Sequence, residues 1–61
     1  VRRYFRVSDS MADVAVTCGQ VQKLGEGDGY TAFVTLDALD DDEVEYLAGK
    51  LHVLACLRVL D

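Results

Sequence analysis

Leu39-Asp40-Asp41-Asp42-Glu43-Val44-Glu45-Tyr46-Leu47-Ala48-Gly49-Lys50-Leu51 is an acidic helix start that runs directly into an apolar stripe of helical period. Asp40 stands three residues before Glu43, the spacing of a capping box, and carboxylates in the first turn complement the positive end of the helix macrodipole. Val44, Leu47, Ala48, Leu51 and Leu54 fall at three- and four-residue steps. This predicts a helix that buries that face and turns Glu45, Lys50 and His52 to solvent. After it, Ala55 to Leu60 reads as a strand, with Leu57 and Val59 toward the helices and Arg58 opposite.

Upstream of the helix, Gln20 to Leu24 and Tyr30 to Asp37 flank Gly25-Glu26-Gly27-Asp28-Gly29. Three glycines in five residues supply the positive-φ positions of a hairpin loop, so two antiparallel strands are expected to meet there. Apolar alternation places Ala32, Val34 and Leu36 on the core face of the second strand, with Thr31, Phe33, Thr35 and Asp37 on the other. At the amino end, Arg3, Phe5 and Val7 alternate with Arg2, Tyr4 and Arg6, which predicts a strand with Phe5 and Val7 inward. Ser8-Asp9-Ser10 then offers capping side chains, and Met11, Val14, Ala15 and Cys18 recur at helical spacing up to Gly19. Val14, Val16 and Cys18 also alternate, so residues 11–19 fit either a helix or a strand. With the helix reading the order is strand, helix, strand, strand, helix, strand. That order gives an α+β, ferredoxin-like βαββαβ sandwich, a single domain over residues 1–61 with two helices on one face of an antiparallel sheet.

At 61 residues and 51% hydrophobic, the chain has enough apolar material to fold. A domain so small buries only about 60% of its unfolded surface and gains from a partner. No apolar run approaches the roughly 20 residues that span a bilayer, and the amino terminus lacks a signal-peptide pattern. A soluble, cytoplasmic protein without membrane contact is the expectation. Val1 fits either a trimmed start or a fragment of a longer chain. Cys18, Cys56 and His52 do not have the paired spacing of a zinc site. Two buried, inert thiols are expected, with no metal or cofactor.

The stretch Gly29-Tyr30-Thr31-Ala32-Phe33-Val34-Thr35-Leu36-Asp37-Ala38-Leu39-Asp40, continuing to Leu51 and closing in Cys56-Leu57-Arg58-Val59-Leu60, resembles the second half of an ACT domain. Asp9 matches the family's strand-to-helix turn, although Met11-Ala12 stand where the family carries Pro-Gly. The resemblance implies a ferredoxin-like regulatory module. It also implies a homodimer with a small ligand, such as an amino acid, near Asp9, Ser10 and Met11.

The net charge of −5 is polarised: Arg2, Arg3 and Arg6 crowd the amino end, while Asp37, Asp40, Asp41, Asp42, Glu43 and Glu45 put six acids in nine positions. Nucleic acid is disfavoured as a partner in general, and a basic protein is favoured. The bland reading of the acids is a capped, solvated helix end. The functional reading is an acidic inhibitor of a nucleic-acid-binding protein, similar in physical type to phage-encoded anti-CRISPR proteins. The open sheet face is expected to collect Tyr4, Arg6, Phe33 and Arg58. That set suits burial against a second copy, or, as a weaker alternative, RNA bases stacked on the aromatics. No nucleophile-base pair is evident, so an enzyme is not expected. The glycine loop leads into a strand rather than a helix, against a phosphate-binding reading.

Overall fold

The computed structural model describes residues 2–59. β1 (Arg3–Ser8), α1 (Asp9–Cys18), β2 (Val21–Glu26), β3 (Tyr30–Thr35), α2 (Asp41–Lys50) and β4 (Ala55–Arg58) follow in that order. The strands form one antiparallel sheet in the order β2-β3-β1-β4, the ferredoxin-like arrangement expected from the sequence.

Residues 11–19, which fit two readings, are helical up to Cys18, and Gly19 ends the helix in a left-handed conformation (φ 72°). Packing explains why the helix wins: Ala15 is fully buried, and Met11, Ala12 and Cys18 lie against the core. An alternating strand would instead have buried Val14 and Val16, and both are exposed. Ser8 occupies the N-cap position without a capping bond to the helix backbone, and its Oγ shares a hydrogen bond with Ser10 Oγ at 3.1 Å instead.

α2 begins as its sequence requires, with Asp40 Oδ1 accepting from the Glu43 N–H at 2.9 Å. Its end is a Schellman motif, in which the His52 N–H donates to the Gly49 carbonyl and the Val53 N–H to the Ala48 carbonyl. His52 takes the left-handed position there (φ 50°), where glycine is usual. The helix stops at Lys50, so Leu54 lies beyond it and is exposed rather than on its buried face.

Phe5, Val7 and Phe33 from the sheet meet Ala15, Val44 and Leu47 from the helices and Leu51 at the end of α2 in one cluster, which places both helices on the same face. The register settles which residues share that face. Phe5 pairs with Phe33 and Val7 with Thr31, so β3 turns Thr31, Phe33 and Thr35 toward the helices. Phe33 is 0% exposed. This corrects the sequence reading, in which Ala32, Val34 and Leu36 were the core set and Phe33 lay on the open face. β4 is reversed in the same way. Cys56 pairs with Phe5 and Arg58 with Arg3 on the helix side, while Leu57 pairs with Tyr4 on the open side and is 56% exposed. The expected inward Leu57 and outward Arg58 are therefore exchanged, and Leu60 lies outside the described residues. Cys56 is an exposed thiol and Cys18 a half-buried one, so the expected pair of buried thiols is not observed.

Candidate functional site on the open sheet face

Alternation from the register gives the open face Tyr4, Arg6 and Ser8 from β1, Gln22 and Gly25 from β2, Tyr30, Ala32 and Val34 from β3, and Ala55 and Leu57 from β4. Among the described residues no Asp, Glu or Lys holds an open-face strand position, in a chain with eleven acids. Ala32 and Val34 are only 8% and 6% exposed although no helix covers them. Their short side chains lie between longer ones on the neighbouring strands, where cross-strand neighbours shield them.

Arg6 organises the centre of this face. Its guanidinium lies over the Tyr30 ring, 5.0 Å from the centroid, and over the Tyr4 ring at 5.8 Å. Its Nε also donates to the Tyr4 hydroxyl at 3.2 Å. That hydrogen bond, ahead of the charge interaction with the two phenols, holds the guanidinium protonated even beyond its ordinary range. Tyr30 is set in place by the hairpin. The Gly27 N–H donates to the Tyr30 carbonyl at 2.9 Å, and the absence of a side chain at Gly27 leaves room for the Tyr30 ring. The glycine loop therefore has two functions beyond the turn itself: Gly29 supplies the positive φ of 82°, and Gly27 supplies the space. Among the described residues no ion pair engages Arg6. The result is a preorganised cation with free Nη donors on a face whose described strand positions hold no carboxylate.

The structure keeps Tyr4 and Arg6 of the expected interface set together and removes Phe33 and Arg58 to the helix side. Tyr30 takes the second aromatic place. The local signal for it was Gly27, three residues upstream, where an aromatic can pack over a residue with no side chain. Without Phe33 and Arg58, the stacked-base reading loses half its residues, and Tyr30 is already engaged by Arg6 and Gly27.

Three of the six acids in the acidic stretch have partners within the fold. Asp40 caps α2, Asp41 Oδ1 pairs with Arg3 Nη2 at 3.3 Å, and Asp37 Oδ1 lies 3.2 Å from Arg2 Nε. Arg3 reaches up from β1 to the start of α2, which ties that helix to the sheet. All six acids remain exposed to solvent. Asp9 and Ser10 are exposed at the start of α1, while Met11 is half-buried against the core. Two shallow cavities open on the helix side. One of about 300 Å³ is lined by Val14, Thr17, Cys18 and Lys50, and one of about 260 Å³ by Gln20, Glu43 and Tyr46; neither includes Asp9, Ser10 or Met11.

Among the described residues no cluster of His, Cys, Asp and Glu could hold a metal ion, and no helix is long and apolar enough to cross a membrane. No family model, curated protein or solved structure matches the chain.

Proposed function

We propose that this domain is a non-enzymatic, ACT-like regulatory module that works as a homodimer and binds a carboxylate-bearing ligand, such as an amino acid, on its open sheet face. The observation that carries this reading is Arg6. It is held by Tyr4 and Tyr30 with spare donors, on a face whose described strand positions hold no Asp, Glu or Lys. A guanidinium fixed in this way loses little freedom when a carboxylate arrives, and its planar fork suits a two-oxygen acceptor. The composition also matches the buried centre of protein interfaces, where Tyr and Arg are enriched and Lys, Asp and Glu depleted. An acidic side chain presented by a protein is thus the second source of the same group.

A copy laid face to face would bury both Arg6 guanidinium groups in the contact. With no strand carboxylate on either face, each Arg6 would be desolvated without a counter-charge, at a cost of several kcal/mol. The face therefore suits an anionic ligand better than it suits itself. This reading moves the ligand from Asp9, Ser10 and Met11 to Arg6, because Met11 is spent on the core.

Titration calorimetry with an amino-acid panel and with an acidic peptide tests the proposal. Binding by wild type should weaken about tenfold or more in Arg6→Gln, since a charge-assisted pair contributes roughly 1.5–3 kcal/mol. Equal affinity in Arg6→Gln, or no heat with any carboxylate, would remove the basis of the proposal. Which titrant binds distinguishes a free amino acid from a protein side chain.

A further inference from the structure

Register aligns the open-face residues into rows that cross the strands. One row runs Gly25, Ala32, Arg6, Ala55 from β2 to β4, and the next runs Gln22, Val34, Tyr4, Leu57. On the other side of the first row stand Tyr30 and Ser8, which pair with each other. Arg6 is therefore the one long side chain in a row otherwise made of a glycine and two alanines. That row is a trough between taller neighbours.

Arg6 covers only one end of the trough. Its guanidinium lies 5.0 Å from the centroid of the Tyr30 ring on β3, so the side chain leans toward that strand. Ala32 records the effect. Gly25 has no side chain to shield it, yet Ala32 is only 8% exposed, so the cover comes from Arg6 and Tyr30. At the β4 end, Ala55 is half-buried and Leu57 is 56% exposed. These two residues are about 7 Å apart along the strand. An uncovered apolar step thus lies directly beside a fixed guanidinium.

Charge sets a second condition. An α-amino acid carries an ammonium next to its carboxylate, and at this site that ammonium would arrive beside Arg6. The described strand positions of the face hold no carboxylate to receive it. The nearby hydroxyls are engaged as well: Tyr4 accepts from Arg6 Nε, and Ser8 Oγ shares a hydrogen bond with Ser10 Oγ. A like charge without a counter-charge is a means of rejecting a competitor.

We infer that the Arg6 site selects an apolar monocarboxylate with no ammonium beside the carboxyl group, its carboxylate on the Arg6 Nη donors and its hydrocarbon body over Ala55 and Leu57. This rests on the carboxylate-binding reading above and names the ligand class. Two sources carry that chemistry. One is a free short-chain acid, and the other is the carboxyl end of a polypeptide whose last residue is apolar, where the α-nitrogen is an uncharged amide.

Calorimetry on the full chain with acetate, isocaproate, leucine and isocaproamide tests the inference, since leucine is isocaproate with an α-ammonium added. Isocaproate should bind about tenfold tighter than acetate, because its tail covers apolar surface. Leucine should bind about tenfold or more weakly than isocaproate. The uncharged isocaproamide should give no heat. Leu57→Ser, at an exposed position, should bring isocaproate down toward acetate with acetate binding and circular dichroism unchanged. An N-acetylated peptide ending in leucine separates the sources: tighter binding than isocaproate assigns the site to a polypeptide end, and weaker binding assigns it to the free acid. Leucine as tight as isocaproate would overturn the ligand class while leaving the carboxylate reading intact. Isocaproate no tighter than acetate, or unaffected by Leu57→Ser, would overturn it equally. No heat with acetate, isocaproate or leucine would instead reject the carboxylate reading itself.

Discussion

The two faces of β3 solve the same packing problem in opposite ways. On the helix side one large ring, Phe33, sits between Thr31 and Thr35, and all three are buried beneath the helices. On the open side Ala32 and Val34 are small, and longer residues on the flanking strands, Tyr4 and Arg6 among them, shield them. Covered and open faces are thus both depleted of water at their centres. What separates them is which partners exclude the water, a packed layer of helices or the stems and rings of amphipathic side chains. A central strand can therefore look equally apolar on both sides. Residue size, more than hydropathy, then marks the core.

The largest test of that contrast is Phe33→Ala against an open-face truncation. Phe33 is fully buried in the cluster with Leu47 and Leu51, so its removal should cost about 3–5 kcal/mol. In a domain of this size that is most or all of the net stability, and the variant should be largely unfolded at 25 °C by circular dichroism. A folded, cooperatively melting Phe33→Ala would place the core elsewhere. Thr35→Val probes the polar part of the same face. Thr35 Oγ1 accepts the Arg3 N–H at 2.8 Å, where the β1 ladder ends, and valine keeps the volume but removes the acceptor. A loss of about 1–3 kcal/mol in urea denaturation, with unchanged slope, is expected. A neutral result would mean that water serves the Arg3 N–H.

On the open face, Tyr4→Ala removes one ring beneath Arg6 and the acceptor of its Nε bond. Both interactions are exposed, so stability should fall by about 1 kcal/mol or less. A loss as large as that of Phe33→Ala would mean that another layer covers this face in solution.

These positions also show what the sequence could and could not reveal. The α2 start was legible in full, because capping and helical period act locally: Asp40, Glu43, Val44, Leu47 and Leu51 all stand where their spacing required. So were the inward Phe5 and Val7, whose strand is polar on its other side. The faces of β3 and β4 were not, because each carries apolar residues at both parities and the choice is made by pairing with β1, which no local pattern encodes. The candidate site was half legible for the same reason. Tyr4 and Arg6 are fixed by β1's own alternation. Tyr30 joins them only through register and through the space left at Gly27, while Phe33 and Arg58 were assigned to the wrong side with their strands.

The smallest expected effect is the most specific to the open face. Gly27→Ala meets no backbone obstacle, since Gly27 does not have a positive φ, but its Cβ would occupy the space now taken by the end of the Tyr30 ring. Two effects then oppose each other. Alanine lowers the entropy of the unfolded chain, which favours folding by roughly 0.4–1 kcal/mol. Displacing a half-buried ring from Gly27 and Arg6 costs a similar amount, of the size of a cation–π contact. Net stability should therefore change by no more than about 0.5 kcal/mol, while the ring-current shift of the Arg6 side chain, measured by NMR, should largely collapse. If the proposed carboxylate site depends on a preorganised guanidinium, affinity should fall with that shift although the charge at Arg6 is intact. An unchanged shift would show that Gly27 does not position Tyr30. A collapsed shift with full affinity would show that Tyr4 alone is enough to hold Arg6.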